Sequence, residues 1–272
     1  MESADRQVVA FVTGASRGIG RALALSLAEA GAIVVGFARS SEALDALSDE
    51  ASDGSMLHVR SVDVTSPIEV RSAFEQAVID VGVPNLLITC AGSAGALGPI
   101  SSVDPERWWS DVTTDLRGTM LCVQAVLGPM LQADDGHIVT VYGNLGDHGG
   151  EHVSAFAAAK AGVVRFTETL ANELANTNIV ALGIHPGFVR TPMTEHLAWS
   201  EDGQQWLPDF KLHAEQHWGV GTRAISLVER IVAGEADELA GRVLHVGDDL
   251  ERLASQARVD EDLRRLRLRL ND

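Results

Sequence analysis

Short apolar runs alternate with longer amphipathic stretches along nearly the whole chain. Residues 8–13 form an apolar run rich in β-branched side chains, and strand-like runs recur at 33–37, 57–62, 86–90, 137–142, 179–185 and 242–246. After the first run, Leu23, Leu27 and Ala30 share one helix face and Gly31 supplies a stop. Further helices are predicted at 41–52, 67–81, 105–131, 154–176 and around 223–233. Strands alternating with helices of this length predict one α/β domain over residues 1–272, a doubly wound, seven-stranded parallel sheet flanked by helices. Ligands of such sheets sit beyond the strands' carboxyl ends, so the loops after residues 13, 37, 62, 90, 142 and 185 should share one edge. An aromatic-rich segment at 194–219 precedes the last strand and reads as a lid. Residues 250–272 form a tail.

Bulk properties narrow the choice of partners. With 46% hydrophobic residues, the 272-residue chain has ample material for one large core. The formal net charge of −17 argues against nucleic acid, whose phosphates need a basic surface. The exception is the tail, where Arg264, Arg265, Arg267 and Arg269 alternate with Leu263, Leu266, Leu268 and Leu270. It reads as a docked segment whose arginines face acidic neighbours. Cys90 and Cys122 each lie in an apolar run, which fits a reducing compartment rather than a disulfide framework. The start of the chain lacks a basic, then apolar, secretory pattern, and no apolar run approaches a membrane span. A cytoplasmic protein is expected.

The loop after the first strand carries the strongest chemical signal. Gly14 permits a tight turn, while Gly18 and Gly20 let backbone approach a pyrophosphate and the sheet. The following helix points its N-terminus at the phosphates. The spacing is G-x-x-x-G-x-G rather than G-x-G-x-x-G. At the end of the second strand, an acidic residue would bind an adenosine ribose and repel a 2′-phosphate; here Ala38 is followed by Arg39 and Ser40. Arg39, helped by Arg17, offers a forked cation to that phosphate, which selects NADP(H).

The chain resembles the short-chain dehydrogenase/reductase family, a Rossmann-type fold, over nearly its whole length. The matching motifs are Thr13-Gly14-Ala15-Ser16-Arg17-Gly18-Ile19-Gly20, Asp63-Val64, Cys90-Ala91-Gly92, Asp115-Leu116-Arg117-Gly118, Lys160 and Pro186-Gly187-Phe188-Val189-Arg190-Thr191. The resemblance implies that Asp63 meets the adenine amine beside Val64, that Val189 and Thr191 hold the nicotinamide amide, and that Lys160 bonds the nicotinamide ribose. It also implies a homodimer or homotetramer built on the helices at 105–131 and 154–176.

The reaction site departs from the family pattern. The proton-transferring tyrosine is Phe156, the family serine position is Gly143, an asparagine is Asp115, and Cys90 replaces another asparagine. Phe156 and Lys160 still share a helix face. Losing positioned acid–base chemistry costs about 10²–10⁴-fold, so ketone reduction by the family mechanism is not expected. Reduction of a substrate needing no proton there, such as a pre-formed iminium, and redox-neutral chemistry both stay open. Candidate substitutes for the lost groups are Tyr142, His148, His152 and Asp115, with Lys160 retained; Tyr142 can equally point away from the pocket by strand alternation. Gly143, Asn144, Phe156, Trp199 and Trp206 are the candidate substrate contacts. Three of the five tryptophans fall in 194–219, which suits a cyclic or aromatic small molecule. His213 and His217 lie four apart but lack a metal-site pattern. Three readings follow: an NADP(H)-binding enzyme with an atypical reductive or redox-neutral mechanism; a non-catalytic NADP(H)-binding subunit or sensor; or an ordinary carbonyl reductase using Tyr142 or His152.

Overall fold

The computed structural model describes residues 7–52, 54–219 and 221–266. Seven strands form one sheet in the order β3-β2-β1-β4-β5-β6-β7, all pairs parallel. They are β1 (Val9–Thr13), β2 (Ile33–Ala38), β3 (Leu57–Ser61), β4 (Leu86–Thr89), β5 (Gly136–Val141), β6 (Ile179–His185) and β7 (Val243–His245). Chain order reverses between β1 and β4, which opens a crevice at the carboxyl edge.

Alternation along the strands fills two apolar cores, one on each face. Ala10, Val12, Val34, Ile88 and Val139 pack on one side with α1 (Gly18–Glu29). Phe11, Val35, Leu87 and Ile138 pack on the other with α3 (Pro67–Val81) and α5 (Gly118–Ala133). Successive side chains of a strand point to opposite faces, so central strands buried twice are apolar at most positions. Phe11, Phe37 and Phe74 anchor the second core; Phe37 stacks on Phe74 at 4.3 Å and Phe11 meets Phe37 edge-on at 5.3 Å.

Most helices start where local chemistry says they should. Ser40 caps α2 (Ser41–Glu50), and Ser66 caps α3 with Pro67 in the first turn. The predicted helix at 105–131 is not uniform. It runs as α4 (Pro105–Val112), a five-residue π turn at Thr113–Arg117, then α5. The wider turn disturbs the carbonyl ladder, and the Thr119 hydroxyl donates to the Asp115 carbonyl at 2.7 Å. This correction matters because Asp115 sits in that turn.

The segment read as a lid contains α7 (Pro192–Trp199), α8 (Glu201–Trp206) and α9 (Pro208–His217). After α10 (Thr222–Val232) and β7, the tail forms α11 (Leu250–Ala257), whose Leu250, Leu253 and Ala257 join the first core. Leu263 packs on that core and Arg264 pairs with Asp248 at 2.6 Å. Arg267, Leu268, Arg269 and Leu270 lie outside the described residues. Among the described residues no helix is long and apolar enough to cross a membrane. Truncating Phe74 to alanine should cost about 3–5 kcal/mol of stability by denaturant unfolding, since the ring is fully buried.

Candidate functional site

A cavity of about 980 Å³ runs along the carboxyl edge of the sheet and under the lid. That size lies at the upper end of small-molecule and cofactor sites.

One end is built by the first loop. Gly14 has a φ of +68°, and a Cβ on it would sit 2.8 Å from the Ala91 nitrogen, so only glycine closes the turn there. Thr13 Oγ1 accepts from the Cys90 and Ala91 amides at 3.1 and 3.2 Å, tying β1 to the end of β4. Arg17 occupies the N-cap of α1 without a side-chain cap, which leaves the first-turn amides open to an anion. Arg17 and Arg39 both line the cavity, and neither has an acidic partner among the described residues. Ser16, Gly18, Ile19, Asp63, Val64, Cys90 and Gly92 also line it, with Pro186, Gly187, Val189 and Thr191. Asp63 Oδ1 accepts from the Thr65 amide and hydroxyl at 2.9 and 2.8 Å.

The other end holds the retained lysine. Lys160, on α6 (Ser154–Glu173), is buried; its Nζ donates to the Val141 carbonyl at 3.2 Å and lies 3.3 Å from Asp115 Oδ2. Nζ also sits 5.4 Å from the centre of the Phe156 ring. A Cβ on Gly143 would lie 3.5 Å from Phe156 Cε1 and Cζ, so the two positions without a proton donor face each other. Asp115 Oδ1 accepts from the Ser93 amide at 2.6 Å. One turn earlier, Asp111 accepts from the Gly95 and Ala96 amides at 2.8 Å and from the Ser93 hydroxyl at 2.5 Å. Two buried aspartates one turn apart thus hold the 93–96 loop. Burial raises the Asp115 carboxyl to about 6, against the opposing pull of Lys160.

Several candidates sit differently from expectation. The Tyr142 ring lines the cavity, but its hydroxyl is hydrogen-bonded to His245 Nε2 at 3.0 Å. Burial drives the phenol well above its usual range, so Tyr142 is committed away from the reaction end. Trp199 is not a cavity residue: it packs on Trp218 at 4.8 Å, and Arg190 stacks on the other ring at 4.9 Å. Gly20 is also behind the wall, where a Cβ would lie 2.5 Å from the Gly14 oxygen; it allows α1 to pack on the loop. Ser40 is used as a helix cap and Asp115 lies beneath the floor. Asn144 belongs to a short turn, and its side chain lies outside the described residues.

His148 and His152 do line the cavity. His148 Nδ1 is 2.6 Å from Asp147 Oδ1. His152 has a φ of +63°, rare for a non-glycine residue, and its ring rests 5.2 Å from Trp206. Trp206, Phe156 and Phe210 pack around an apolar cluster of Ala94, Leu97, Val153 and Leu197. Sequence reasoning missed Asp111, His185 and His245. Asp111 was legible as the position one turn before Asp115. His185 and His245 stack at 4.9 Å at the ends of neighbouring strands, a pairing that only the sheet order creates. Burial lowers His185 to about 4. Among the described residues no group of three His, Cys, Asp or Glu could hold a metal ion.

Comparisons with known proteins bear on the family and the fold. The profile of the short chain dehydrogenase family matches residues 8–202. The 3-oxoacyl-(acyl-carrier-protein) reductase FabG of Escherichia coli (strain K12) is 32% identical over 243 residues, covering 88% of this chain and 95% of that protein. The granaticin polyketide synthase putative ketoacyl reductase 1 of Streptomyces violaceoruber is 33% identical over 248 residues, covering 88% and 91%. Among solved structures, a single-substitution variant of actinorhodin polyketide ketoreductase with NADPH superposes with a TM-score of 0.80 at 30% identity, covering 88% of this chain and 95% of that one.

The buried pair should behave as a unit. Asp115→Asn leaves the Lys160 ammonium without its counter-charge and should cost about 3–5 kcal/mol. Adding Lys160→Met should recover a large part of that loss. A double-mutant cycle by urea unfolding checks the coupling, and additive effects would contradict it.

Proposed function

The chain belongs to the short chain dehydrogenase family, and from that premise we propose that it acts with NADP(H) on a cyclic or aromatic small molecule by an atypical route. One observation carries the reading: Lys160 is kept beside an aromatic-walled cavity, while the facing Phe156 and Gly143 have no proton to give.

The residues present fit the cofactor. Two arginines without acidic partners among the described residues, next to an uncapped helix N-terminus, suit a phosphate-rich dinucleotide, and Arg39 at the end of β2 suits its 2′-phosphate. Lys160 would hold the nicotinamide ribose, and Val189 and Thr191 would hold the amide. When bound, the cofactor supplies a hydride or accepts one. The chain's own contribution is to bind and orient, and to keep water from the reaction end through the lid cluster around Trp206 and Phe210. Atypical reduction and redox-neutral isomerisation, dehydration or cyclisation are the classes that dispense with a phenolic acid. The His152 ring packs against Trp206 of the lid. The carbonyl-reductase reading through Tyr142 loses support because that hydroxyl is bonded to His245. A homo-oligomer through α4, α5 and α6 accords with Trp109, which α4 leaves 59% exposed.

Arg39→Ala should weaken NADPH binding about 10–100-fold, the range for one lost hydrogen bond to a charged group, and leave NADH binding within about twofold; fluorescence titration reads both. Incubation with deuterated NADPH and cyclic substrates decides the reaction class. Deuterium in the product marks reduction, and cofactor-dependent product without deuterium marks redox-neutral chemistry. Restoring both proton-bearing groups with Gly143→Ser and Phe156→Tyr should raise reduction of a cyclic ketone by about 10²-fold or more. No gain from that double variant, beside a wild type already fast on ketones, would refute the atypical route.

A further inference from the structure

The charges around the cavity are arranged against ketone reduction. In that reaction negative charge grows on the carbonyl oxygen, and hydrogen-bond donors or a cation must meet it. Here Phe156 and Gly143 offer no donor. The cation that remains, Lys160, is countered by the Asp115 carboxylate 3.3 Å away. The other two cavity cations, Arg17 and Arg39, belong to the phosphate end, on the loop before α1 and at the end of β2.

Negative charge instead gathers around the lid. Glu151 and Asp209 line the cavity, each beside an aromatic lid contact: Glu151 next to His152, which touches Trp206, and Asp209 next to Phe210. Both are exposed at the mouth, and neither is ion-paired among the described residues. Phe156, Trp206 and Phe210 also line the cavity, and aromatic rings attract organic cations through their quadrupole. The whole chain, at −17, steers cations toward it.

We propose that the substrate is a pre-formed cyclic iminium or a related N-alkylated ring cation, reduced to a neutral tertiary amine. This rests on the reading of an NADP(H)-dependent site for cyclic molecules. A hydride from the reduced nicotinamide adds to the iminium carbon, and the C=N π pair becomes the nitrogen lone pair. The products are the amine and the oxidised cofactor, and no proton moves. A site without Tyr and Ser then lacks nothing it needs. The substrate's positive charge fades during the reaction, so the carboxylates hold the ground state, and the neutralised lysine does not repel it. A carrier-borne or nucleotide thioester, with its phosphodiester, would meet Glu151 and Asp209 at the mouth and be repelled.

The test uses the NADPH-loaded protein at pH 8, where ordinary imidazoles are neutral and Asp115 is ionised. Calorimetry compares N,N-dimethyltetrahydroisoquinolinium, which cannot be reduced, with its all-carbon isostere dimethyltetralin. The cation should bind roughly tenfold tighter, and Glu151→Gln with Asp209→Asn should erase most of that preference. Asp115→Asn should weaken it further, and if that variant fails to fold, the two mouth variants decide alone. In parallel, deuteride transfer to N-methyldihydroisoquinolinium should exceed transfer to tetralone by about 10²-fold or more. Equal binding of cation and isostere, or a preference that survives both mouth variants, overturns the proposal. Deuteride transfer to tetralone but not to the iminium overturns it while leaving the cyclic-substrate reading intact. Failure of every ring compound to bind the loaded protein removes that reading and this proposal together.

Discussion

A doubly wound parallel sheet must reverse its winding somewhere, and the seam between β1 and β4 is the place on which this structure depends. Thr13 closes that seam by accepting two amides from the start of the loop after β4. Gly14 then turns so closely over Ala91 that no side chain fits between them. The two contacts fix where α1 begins, and so where its open amides point. They also fix the loop at 90–96, which Asp111 and Asp115 hold from the other side. Cofactor end and reaction end are therefore placed by one piece of backbone.

The second organising feature is electrostatic. Burying a carboxylate beside an ammonium removes both from water, a cost their mutual attraction repays only in good geometry. Lys160 and Asp115 Oδ2 meet at 3.3 Å; the Lys160 ammonium donates to the Val141 carbonyl and Asp115 Oδ1 accepts from the Ser93 amide. In a site that must stabilise an oxyanion, such a counter-ion would be a handicap. In one that receives a cation it is an asset. Asp115 lies in the π turn and, with Asp111 one turn earlier, faces the 93–96 loop.

The lid illustrates how composition can mislead about direction. Three tryptophans in one segment pointed to a ring-shaped ligand, yet of these only Trp206 faces the cavity. Trp199 and Trp218 pack on each other and brace the segment, with Arg190 across the second ring. Their part is to hold the lid in shape while Trp206, Phe210 and Leu197 close over the reaction end.

Strand and helix order, the two-faced core and the glycine turn were legible in the sequence because they depend on local rules: which residues are apolar, how they are spaced, and where a backbone needs glycine. The loss of proton donors at Phe156 and Gly143 was legible too, since it is a matter of residue type at a fixed spacing from Lys160. The commitment of Tyr142 to His245 was not, because the two are 103 positions apart and meet only through the β5-β6-β7 order. Nor was the Lys160–Asp115 pair, whose members lie far apart in the chain and meet only where α6 packs on the π turn. Sequence alone determined the fold and what the site lacks. Tertiary structure decided what each remaining charge faces, because charge pairing is set by distances between segments that the chain order does not contain.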